Sequence, residues 1–422
     1  MRRSPSRDLS PMLLRLRRRG EVRSLARVIR ELGLEAWLVG GAVRDAALRI
    51  ADSEIDVAVS GNAEAVARAL ESAGVGRAVF LSRDRPGPRV FRVAGRRPLD
   101  IAEIEGGSIE KDLERRDFTV NALAVSLADG SLRDPFGGLA DLGRRRLRPV
   151  RASNLLDDPL RALRAARLYA TLGLVPDRQT LGAARAAASR LGSVAAERIG
   201  GELSRILESP RAAEALRWAA GAGILGPTLG VPLASDEAAK LARSLAALDD
   251  PATARLPAST RRRIRLAALA LSLRPEAGDA RTWLLGRRLP RRDAEDAARL
   301  AELVRRPPPP WPERKLSREA WRWIVDAGPL AGEALHLLER SGRRSKRRSR
   351  TIARLRRLAS RKRRRVVVGG GDVMEWLGVP AGPQIGRLLS ELAVEIASGQ
   401  VKNRRDARNW LTGQVQKRAG AL

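Results

Sequence analysis

The spacing of hydrophobic residues changes along the chain. Between residues 21 and 150, segments with helical spacing, such as VRSLARVIRELG and AEAVARALESAG, alternate with short apolar stretches such as AWLVGG and EIDVAVSG. Apolar residues three or four positions apart predict helices, and alternation of apolar and polar residues predicts strands. RAVFLS, RVFRVAG and PLDIAEI predict further short strands. The pattern indicates a small mixed sheet with helices packed against it.

After residue 151 the pattern becomes helical. Residues 151–305 are rich in Ala, Leu and Arg and keep helical spacing, which predicts an all-helical region. The segment RRPPPPWPERK, residues 305–315, cannot be a helix and predicts a stiff linker or extended turn. A last helical region follows. It contains 14 Lys and Arg and no acid between Arg343 and Arg365, a density typical of a solvated face, a flexible segment or a nucleic-acid contact.

Composition narrows the possible functions. The 422 residues include 81 Lys and Arg against 48 Asp and Glu, a formal net charge of +33. This excess favours a polyanionic partner, nucleic acid above all, or an anionic membrane surface. With no cysteine and only His336, thiolate sites and chemistry that needs several histidines are excluded. We expect His336 to be a partly buried residue on a helix. No apolar run reaches about 18 residues, so we expect no membrane span and predict a cytoplasmic protein.

Two acids one residue apart are the first candidate site. On a strand, Glu54 and Asp56 would point to one face, and Ile55, Val57 and Val59 to the other, where they can pack against helices. Paired carboxylates suit Mg²⁺, which prefers oxygen ligands and bridges protein acids to phosphates. A pair of solvated acids on an edge strand would give the same pattern.

A glycine turn strengthens the metal interpretation. Gly40 and Gly41 follow an apolar strand and precede AVRDAALRI, which begins as a helix. Glycines at this place let backbone N–H groups approach phosphate oxygens, and a helix N-terminus favours an anion. Arg44, in the first helical turn, can add a positive charge.

These segments resemble class II tRNA nucleotidyltransferases, the CCA-adding enzymes and bacterial poly(A) polymerases of the polymerase-β superfamily. The resemblance extends in the same order over most of the chain, through LVGGAVRD…EIDVAVSG, residues 108–150, residues 155–174, AAERIGGELSRIL and residues 369–411. It implies an α/β head with a small mixed sheet, followed by an all-α neck, body and tail. We predict a basic N-terminal tail at 1–20, the head at 21–150, the neck at 151–212, the body at 213–305 and a basic, tRNA-contacting tail at 306–422.

The resemblance also implies roles for residues of the head. Glu54 and Asp56 match the family's metal-binding D-x-D pair, with Glu54 in place of the usual Asp. Asp100 is either a third acid that helps deprotonate the primer hydroxyl or an exposed strand acid. The predicted nucleotide-binding residues of the head are Gly40, Gly41, Arg44, Arg116 and Asp117, with Arg115 and Asn121 in support. We expect Asp45 to brace Arg44 or the turn.

A helix predicted at residues 157–167 would select the base. Asp158 and Arg161 lie three residues apart and so project from neighbouring positions. The resemblance implies that they form a protein template for CTP and ATP, with Arg164 and Arg167 near the base and the triphosphate. Capping of the helix by Asp158, before Pro159, is compatible with this role.

The implied activity is Mg²⁺-dependent attack of a tRNA 3′-hydroxyl on the α-phosphate of CTP or ATP, which adds CCA without a nucleic acid template. A specialised CC-adding or A-adding enzyme stays open, because the connection between RVFRVAG and SIEKDL is short. A poly(A) polymerase is a further alternative, although the expected basic, His-containing segment after the metal strand is not found. A catalytically impaired RNA-binding protein, with Glu54 as its sign, is the alternative of a different class. The oligomeric state is not predicted.

Overall fold

The computed structural model describes residues 16–50, 54–81, 88–273, 280–307, 316–341, 346–359 and 366–419. They fall into two units, which comprise residues 1–242 and 243–422. This division does not test the five predicted segments, which stay predictions.

A seven-stranded mixed sheet forms the centre of the first unit, and it confirms the α/β head. Its spatial order is β3-β4-β5-β2-β1-β6-β7. β2 and β5 are parallel, and the other neighbours are antiparallel. The strands are β1 Ala36–Val39, β2 Ile55–Val59, β3 Arg77–Phe80, β4 Val90–Ala94, β5 Leu99–Glu103, β6 Ala124–Ser126 and β7 Leu132–Arg133. The first five coincide with the predicted strands, whereas β6 and β7 were not predicted.

Helices cover both faces of this sheet. Buried residues of α1 (Gly20–Glu31), α2 (Gly41–Ala47) and α3 (Ala63–Ser72) share the main core with alternate strand residues such as Leu38 and Val57. The opposite face carries a smaller cluster that includes Trp37 and Ile109. Ile109 belongs to α4 (Ile109–Glu114), and α5 (Gly138–Gly143) follows. The alternation of strand side chains therefore builds two hydrophobic layers from one sheet.

The described end of the segment predicted as a basic tail, residues 16–19, contacts the sheet unit. Residues 1–15 lie outside the described part of the chain. Leu16, however, is buried in the main core, and the Arg17 guanidinium donates to the carbonyl oxygen of Leu127. Residues 16–19 thus belong to the sheet unit, because their contacts tie them to it.

The region after residue 151 is helical with two departures from the prediction. Its helices are α6 Ser153–Asp157, α7 Leu160–Leu172, α8 Arg178–Ala187, α9 Ala196–Glu208, α10 Ala212–Gly221, α11 Leu225–Leu229 and α12 Ser235–Ala246. The single helix predicted at 157–167 is wrong. Asp158 is extended, with φ −130° and ψ 95°, because a residue before proline is disfavoured in the helical conformation.

A two-stranded sheet crosses the predicted boundary at residue 150. β8 (Arg146–Leu147) pairs in parallel with β9 (Val175–Pro176), so the region from 151 is not entirely helical. Leu147, Leu155 and Leu168 lie in the same core as the seven-stranded sheet. Head and neck therefore share one hydrophobic core.

The second unit is helical in its described residues. It contains α13 Pro251–Ala254, α14 Ala258–Leu273, α15 Ala280–Gly286, α16 Arg291–Arg305, α17 Arg318–Ala327, α18 Ala331–Ser341, α19 Lys346–Ala359, α20 Gly370–Leu377, α21 Pro383–Ser398 and α22 Arg404–Ala419. Helices α20–α22 surround their own apolar cluster. The middle of the arginine-rich stretch is thus helix α19, whereas residues 342–345 and 360–365, like residues 308–315 of the predicted linker, lie outside the described part.

His336 is buried, as expected from the sequence. It is 8% exposed, and its Nε2 lies 2.7 Å from the hydroxyl of Thr253. Burial, with the nearby charge of Arg340, lowers the pKa of His336 to about 4, so the ring is neutral at physiological pH. Within the described ranges, no helix is long and apolar enough to cross a membrane.

Candidate active site

A cavity of about 420 Å³ in the first unit brings together most of the predicted site residues. Its walls come from the β1–α2 turn, the start of β2, the segment after α4, and helices α7 and α9. The lining residues are Gly40, Gly41, Arg44, Asp45, Glu54, Asp56, Arg116, Asp117, Asn121, Arg161, Arg164, Arg167, Glu202 and Arg205. Of the predicted site residues, Asp100 and Asp158 are absent from this lining, as is the supporting residue Arg115.

The glycine turn allows the cavity floor to form. Gly40 has φ +65°, a conformation that favours glycine. A Cβ atom at Gly40 would lie 2.7 Å from Nη1 of Arg116 and 3.6 Å from Oδ2 of Asp56. Helix α2 begins at Gly41, so its N-terminus lies beside the Asp56 carboxylate. A side chain at Gly40 would displace the Arg116 guanidinium and would contact the Asp56 carboxylate.

Arg44 is held in place from two sides. Its guanidinium is 8% exposed and donates to the Asp45 carboxylate at 2.8 Å and to the side-chain oxygen of Asn121 at 2.5 Å. The amide nitrogen of Asn121 in turn donates to Oδ1 of Asp117 at 2.8 Å. Asp45 therefore braces Arg44, as predicted, and Asn121 links Arg44 to Asp117.

The two acids of the predicted metal site both line the cavity. Strand β2 begins at Ile55, so Glu54 lies just before the strand and is exposed. Asp56 is half-buried on the face opposite Ile55 and Val57, which are in the main core. No hydrogen bond or ion pair from the described residues reaches the Asp56 carboxylate. Burial raises the pKa of Asp56 to about 6, with Asp100 and Glu54 adding to the rise against the lowering effect of Arg116.

Asp100 is beside Asp56 but has a partner of its own. Asp56 on β2 and Asp100 on β5 are opposite each other on these parallel strands. Arg92, on the neighbouring strand β4, lies opposite Asp100 on its other side. Both oxygens of Asp100 accept from the Arg92 guanidinium, at 2.7 Å each. The structure thus favours an ion-paired Asp100 over a simply exposed strand acid.

Asp117 is a buried, ionised acid. It is 4% exposed and accepts hydrogen bonds from Nη1 of Arg164 at 2.9 Å, from Asn121, and from the N–H of Phe118 at 2.8 Å. Burial alone would raise its pKa, but the charge of Arg164 and these hydrogen bonds lower the pKa of Asp117 to about 2. Its predecessor Arg116 pairs with Asp112 at 3.0 Å.

Two arginines of helix α7 share one acid of helix α9. Arg164 and Arg167 both lie within ion-pair distance of Glu202, which is 8% exposed. Burial lowers the pKa of Arg167, and Glu202 opposes this, so the guanidinium stays charged. The arginines predicted near the base and triphosphate are therefore fixed by ion pairs that span two helices.

The predicted template pair is engaged within the protein. Arg161 donates to the carbonyl oxygens of Arg115 at 2.8 Å and Asn154 at 3.1 Å. Oδ2 of Asp158 pairs with Arg198 of α9 at 2.8 Å. Oδ1 of Asp158 accepts from the N–H of Leu160 at 3.3 Å, so the predicted capping contact is present.

Sequence reasoning missed three residues that contact or line this site. Arg198, Glu202 and Arg205 all lie in AAERIGGELSRIL. Their spacing of four and then three residues places them on one face of α9. That polar stripe, on a helix whose other face is apolar, was the signal available in the sequence.

Comparisons with known proteins identify the family of this chain. Residues 36–148 match the family described as "Poly A polymerase head domain", and residues 173–230 match "Probable RNA and SrmB- binding site of polymerase A". A CC-adding tRNA nucleotidyltransferase of Geobacter sulfurreducens is 34% identical, over 92% of this chain and 94% of the relative. A CCA-adding enzyme of Geobacillus kaustophilus is 30% identical, over 90% of this chain and 93% of the relative.

A solved structure shares the fold. The Bacillus stearothermophilus CCA-adding enzyme in complex with CTP matches with a TM-score of 0.68 and 24% identity, over 96% of this chain and 100% of that chain. An α/β unit whose glycine turn faces a strand acid, followed by helices, defines a nucleotidyltransferase. With the full-length relatives, the class narrows: the chain belongs to the family of tRNA nucleotidyltransferases that contains CC-adding and CCA-adding enzymes.

Proposed function

We propose that the protein adds CCA to the 3′ end of tRNA, using CTP and ATP. One observation carries the proposal: a single cavity joins the glycine turn, the acids Glu54 and Asp56, and the arginines of α7. Phosphoryl transfer depends mainly on positioning and on neutralising charge, which such a cavity supplies. Relatives that span nearly the whole chain are named for this reaction or for its first two steps.

Mg²⁺ is the metal that fits the acids. The Asp56 carboxylate is half-buried and has no cationic partner within hydrogen-bond distance among the described residues, and Glu54 can supply a second oxygen. Among those residues no cluster of three or more acids or histidines could hold a metal, which suits an ion that takes its other ligands from water and phosphates. When bound, Mg²⁺ supplies charge neutralisation at the attacking and leaving oxygens.

The chain's own residues bind and orient the substrates. In the proposal, the N–H groups after Gly40 and the Arg44 guanidinium hold the triphosphate, and Arg116 and Asp117 contact the sugar and phosphates. Arg164 and Arg167 add positive charge beside them. Asp100, held by Arg92 and in register beside Asp56, would help to remove the proton from the primer hydroxyl.

Base selection requires a local rearrangement. In the proposal, Asp158 and Arg161 present an acceptor and donors to the base edge. Asp158 must then share or release its contact with Arg198, and Arg161 its contacts with two backbone carbonyls. Binding of a nucleotide would compensate for these lost contacts.

A CC-adding enzyme is the second candidate. The Geobacter sulfurreducens relative, named for CC addition, is 34% identical over almost its full length. The short connection between β4 and β5, residues 95–98, and between β5 and α4, residues 104–108, leaves little room for a longer loop. Poly(A) or A-only addition and an impaired RNA-binding protein stay alternatives of lower support.

Nucleotide addition to defined RNAs tests these functions. tRNAs that end at the discriminator base, at C or at CC would be incubated with CTP, ATP or both, with Mg²⁺, and resolved to single nucleotides. Addition of all three nucleotides supports the proposal, and arrest after CC supports the second candidate. If wild type and Asp56→Ala are equally inactive while tRNA still binds in a salt-dependent way, the binding protein is the better description.

In the proposal, the helical second unit binds the tRNA backbone. Arg350, Arg356 and Arg357 of α19 are exposed, whereas Ile352 and Leu355 are buried, so the helix presents a cationic face. Phosphate contacts of this kind make binding depend on salt. We place this activity in the cytoplasm, which imaging of a fluorescent fusion would test.

A further inference from the structure

One arginine of the cavity differs from the others. Arg44, Arg116, Arg164 and Arg167 each pair with an acid, and Arg161 donates to backbone carbonyls. The remaining lining arginine, Arg205, makes no hydrogen bond or ion pair with any residue in the described part of the chain. It is exposed, whereas the other five are at least partly buried.

The acid of α9 that lines the cavity beside Arg205 already has partners. Glu202, one turn earlier on the same face of α9, already receives Arg164 and Arg167. Among the causes that lower the pKa of Arg167, burial comes first, and the positive charges of Arg164, Arg44 and Arg205 add to it. Arg44 and Arg205 are therefore both close enough to Arg167 to repel it, and Arg205 is the exposed member of these three lining arginines.

The nucleotide triphosphate and the backbone phosphates of the RNA primer should lie at different depths in the cavity. When the α-phosphate of a nucleotide lies beside Asp56, its triphosphate can contact the buried arginines of the cavity. An RNA strand arrives from solvent, and only its 3′-hydroxyl must reach Asp56, so its last phosphodiesters stay near the rim. An exposed, unpaired guanidinium at the rim suits a phosphate that arrives there.

We propose that Arg205 binds a backbone phosphate at the 3′ end of the RNA primer and so positions the terminal hydroxyl. The inference rests on the proposed function for the identity of the RNA. A single phosphate contact to an unpaired strand contributes about 0.7 to the slope of log affinity against log salt concentration.

The experiment compares Arg205→Ala and Arg205→Lys with wild type. The control is Arg217→Ala, an exposed arginine of α10 that does not line the cavity. Measurements are the KM for tRNA and for CTP, and the salt dependence of tRNA binding without nucleotide. For Arg205→Ala we expect the tRNA KM to rise about three- to tenfold, the CTP KM to change less than about twofold, and the salt slope to fall by about 0.7. Arg205→Lys should keep a tRNA KM and a salt slope close to those of wild type, because lysine also binds phosphate.

Two results would overturn the inference. If the CTP KM rises and the tRNA KM does not, Arg205 holds the nucleotide. If neither changes more than in Arg217→Ala, the side chain has no ligand. Because tRNA binding is measured without nucleotide, its salt slope tests Arg205 even if wild type adds no nucleotides, in which case the proposed function fails separately.

Discussion

Replacing Asp56 by Asn should stabilise the metal-free protein while it abolishes nucleotide addition. The pKa of Asp56 rises from an ordinary value of 3.8 to about 6 in the folded chain, chiefly because the carboxylate is buried. A shift of about 2 units corresponds to roughly 3 kcal/mol, which folding must supply to ionise this group at neutral pH. Asn has nearly the same shape and no charge. Since burial of the amide has its own cost, we expect a gain of about 1–3 kcal/mol.

The difference in stability between wild type and Asp56→Asn should depend on pH in one direction. Below pH 3.8 the carboxyl is protonated in both the folded and unfolded states, so wild type and Asp56→Asn should be equally stable with respect to this group. Between pH 3.8 and about 6 the folded state holds the proton more tightly, and wild type loses stability relative to the variant as pH rises. Above pH 6 to 7 the difference should be constant and at its maximum.

Urea and thermal unfolding in EDTA, from pH 4 to 8, would measure this difference. Adding Mg²⁺ at pH 7.5 should then raise the unfolding midpoint of wild type but not of Asp56→Asn, because ligand binding to the folded state stabilises by mass action. If Asp56→Asn is less stable than wild type at pH 7.5, or if the difference does not change with pH, the ionised carboxylate of Asp56 does not destabilise the metal-free fold, and the reasoning is refuted.

Three further substitutions test the rest of the site. Asp117→Asn should destabilise the folded state by about 2–4 kcal/mol at pH 7, because it removes the closer of the two acids that pair with Arg164 and leaves only Glu202, at 3.5 Å. This loss should shrink as pH falls below about 4 toward the low pKa of Asp117, opposite in sign to the effect at Asp56, and urea unfolding across pH would measure it. Gly40→Ala should lower stability by about 1–3 kcal/mol and weaken CTP binding in calorimetry, because the positive φ and the contact with Arg116 both oppose a Cβ atom; unchanged CTP affinity would contradict the role of the turn. In single-turnover assays, Glu54→Asp should change the rate of addition by less than about fivefold, whereas Glu54→Ala should reduce it by more than about a hundredfold. If Glu54→Ala adds nucleotides as fast as wild type, Glu54 is not a metal ligand.

The strand acids were predictable from sequence because their signal is local. In β2 the alternation of Ile55, Asp56 and Val57 fixes which side chains enter the core, whatever the rest of the chain does. β6 gave no such signal. Residues 122–127 are all buried and, apart from Ser126, apolar, and such a run does not distinguish a strand covered on both faces from a buried helix.

The partners of the site residues could not be predicted, because they are distant in sequence. Arg92 faces Asp100 only because β4 and β5 pair in one register, and Arg198 reaches Asp158 from another helix. The break before Pro159 did have a local signal, which the helical spacing of the surrounding residues outweighed. Motif spacing therefore located the site, whereas tertiary pairing decides which of its charges are available to a substrate.

The hydrogen bonds and ion pairs that connect the glycine turn to helices α7 and α9 limit how this catalytic centre can be re-engineered. The connected side chains are, in order, Arg44, Asn121, Asp117, Arg164, Glu202 and Arg167. Exchanging helix α7 alone for a helix that lacks Arg164 and Arg167 would leave Asp117 and Glu202 without these counter-charges. A functional chimaera should therefore transplant the segments around residues 117–121 and 198–205 together with α7, and substitutions along this series should have strongly non-additive effects.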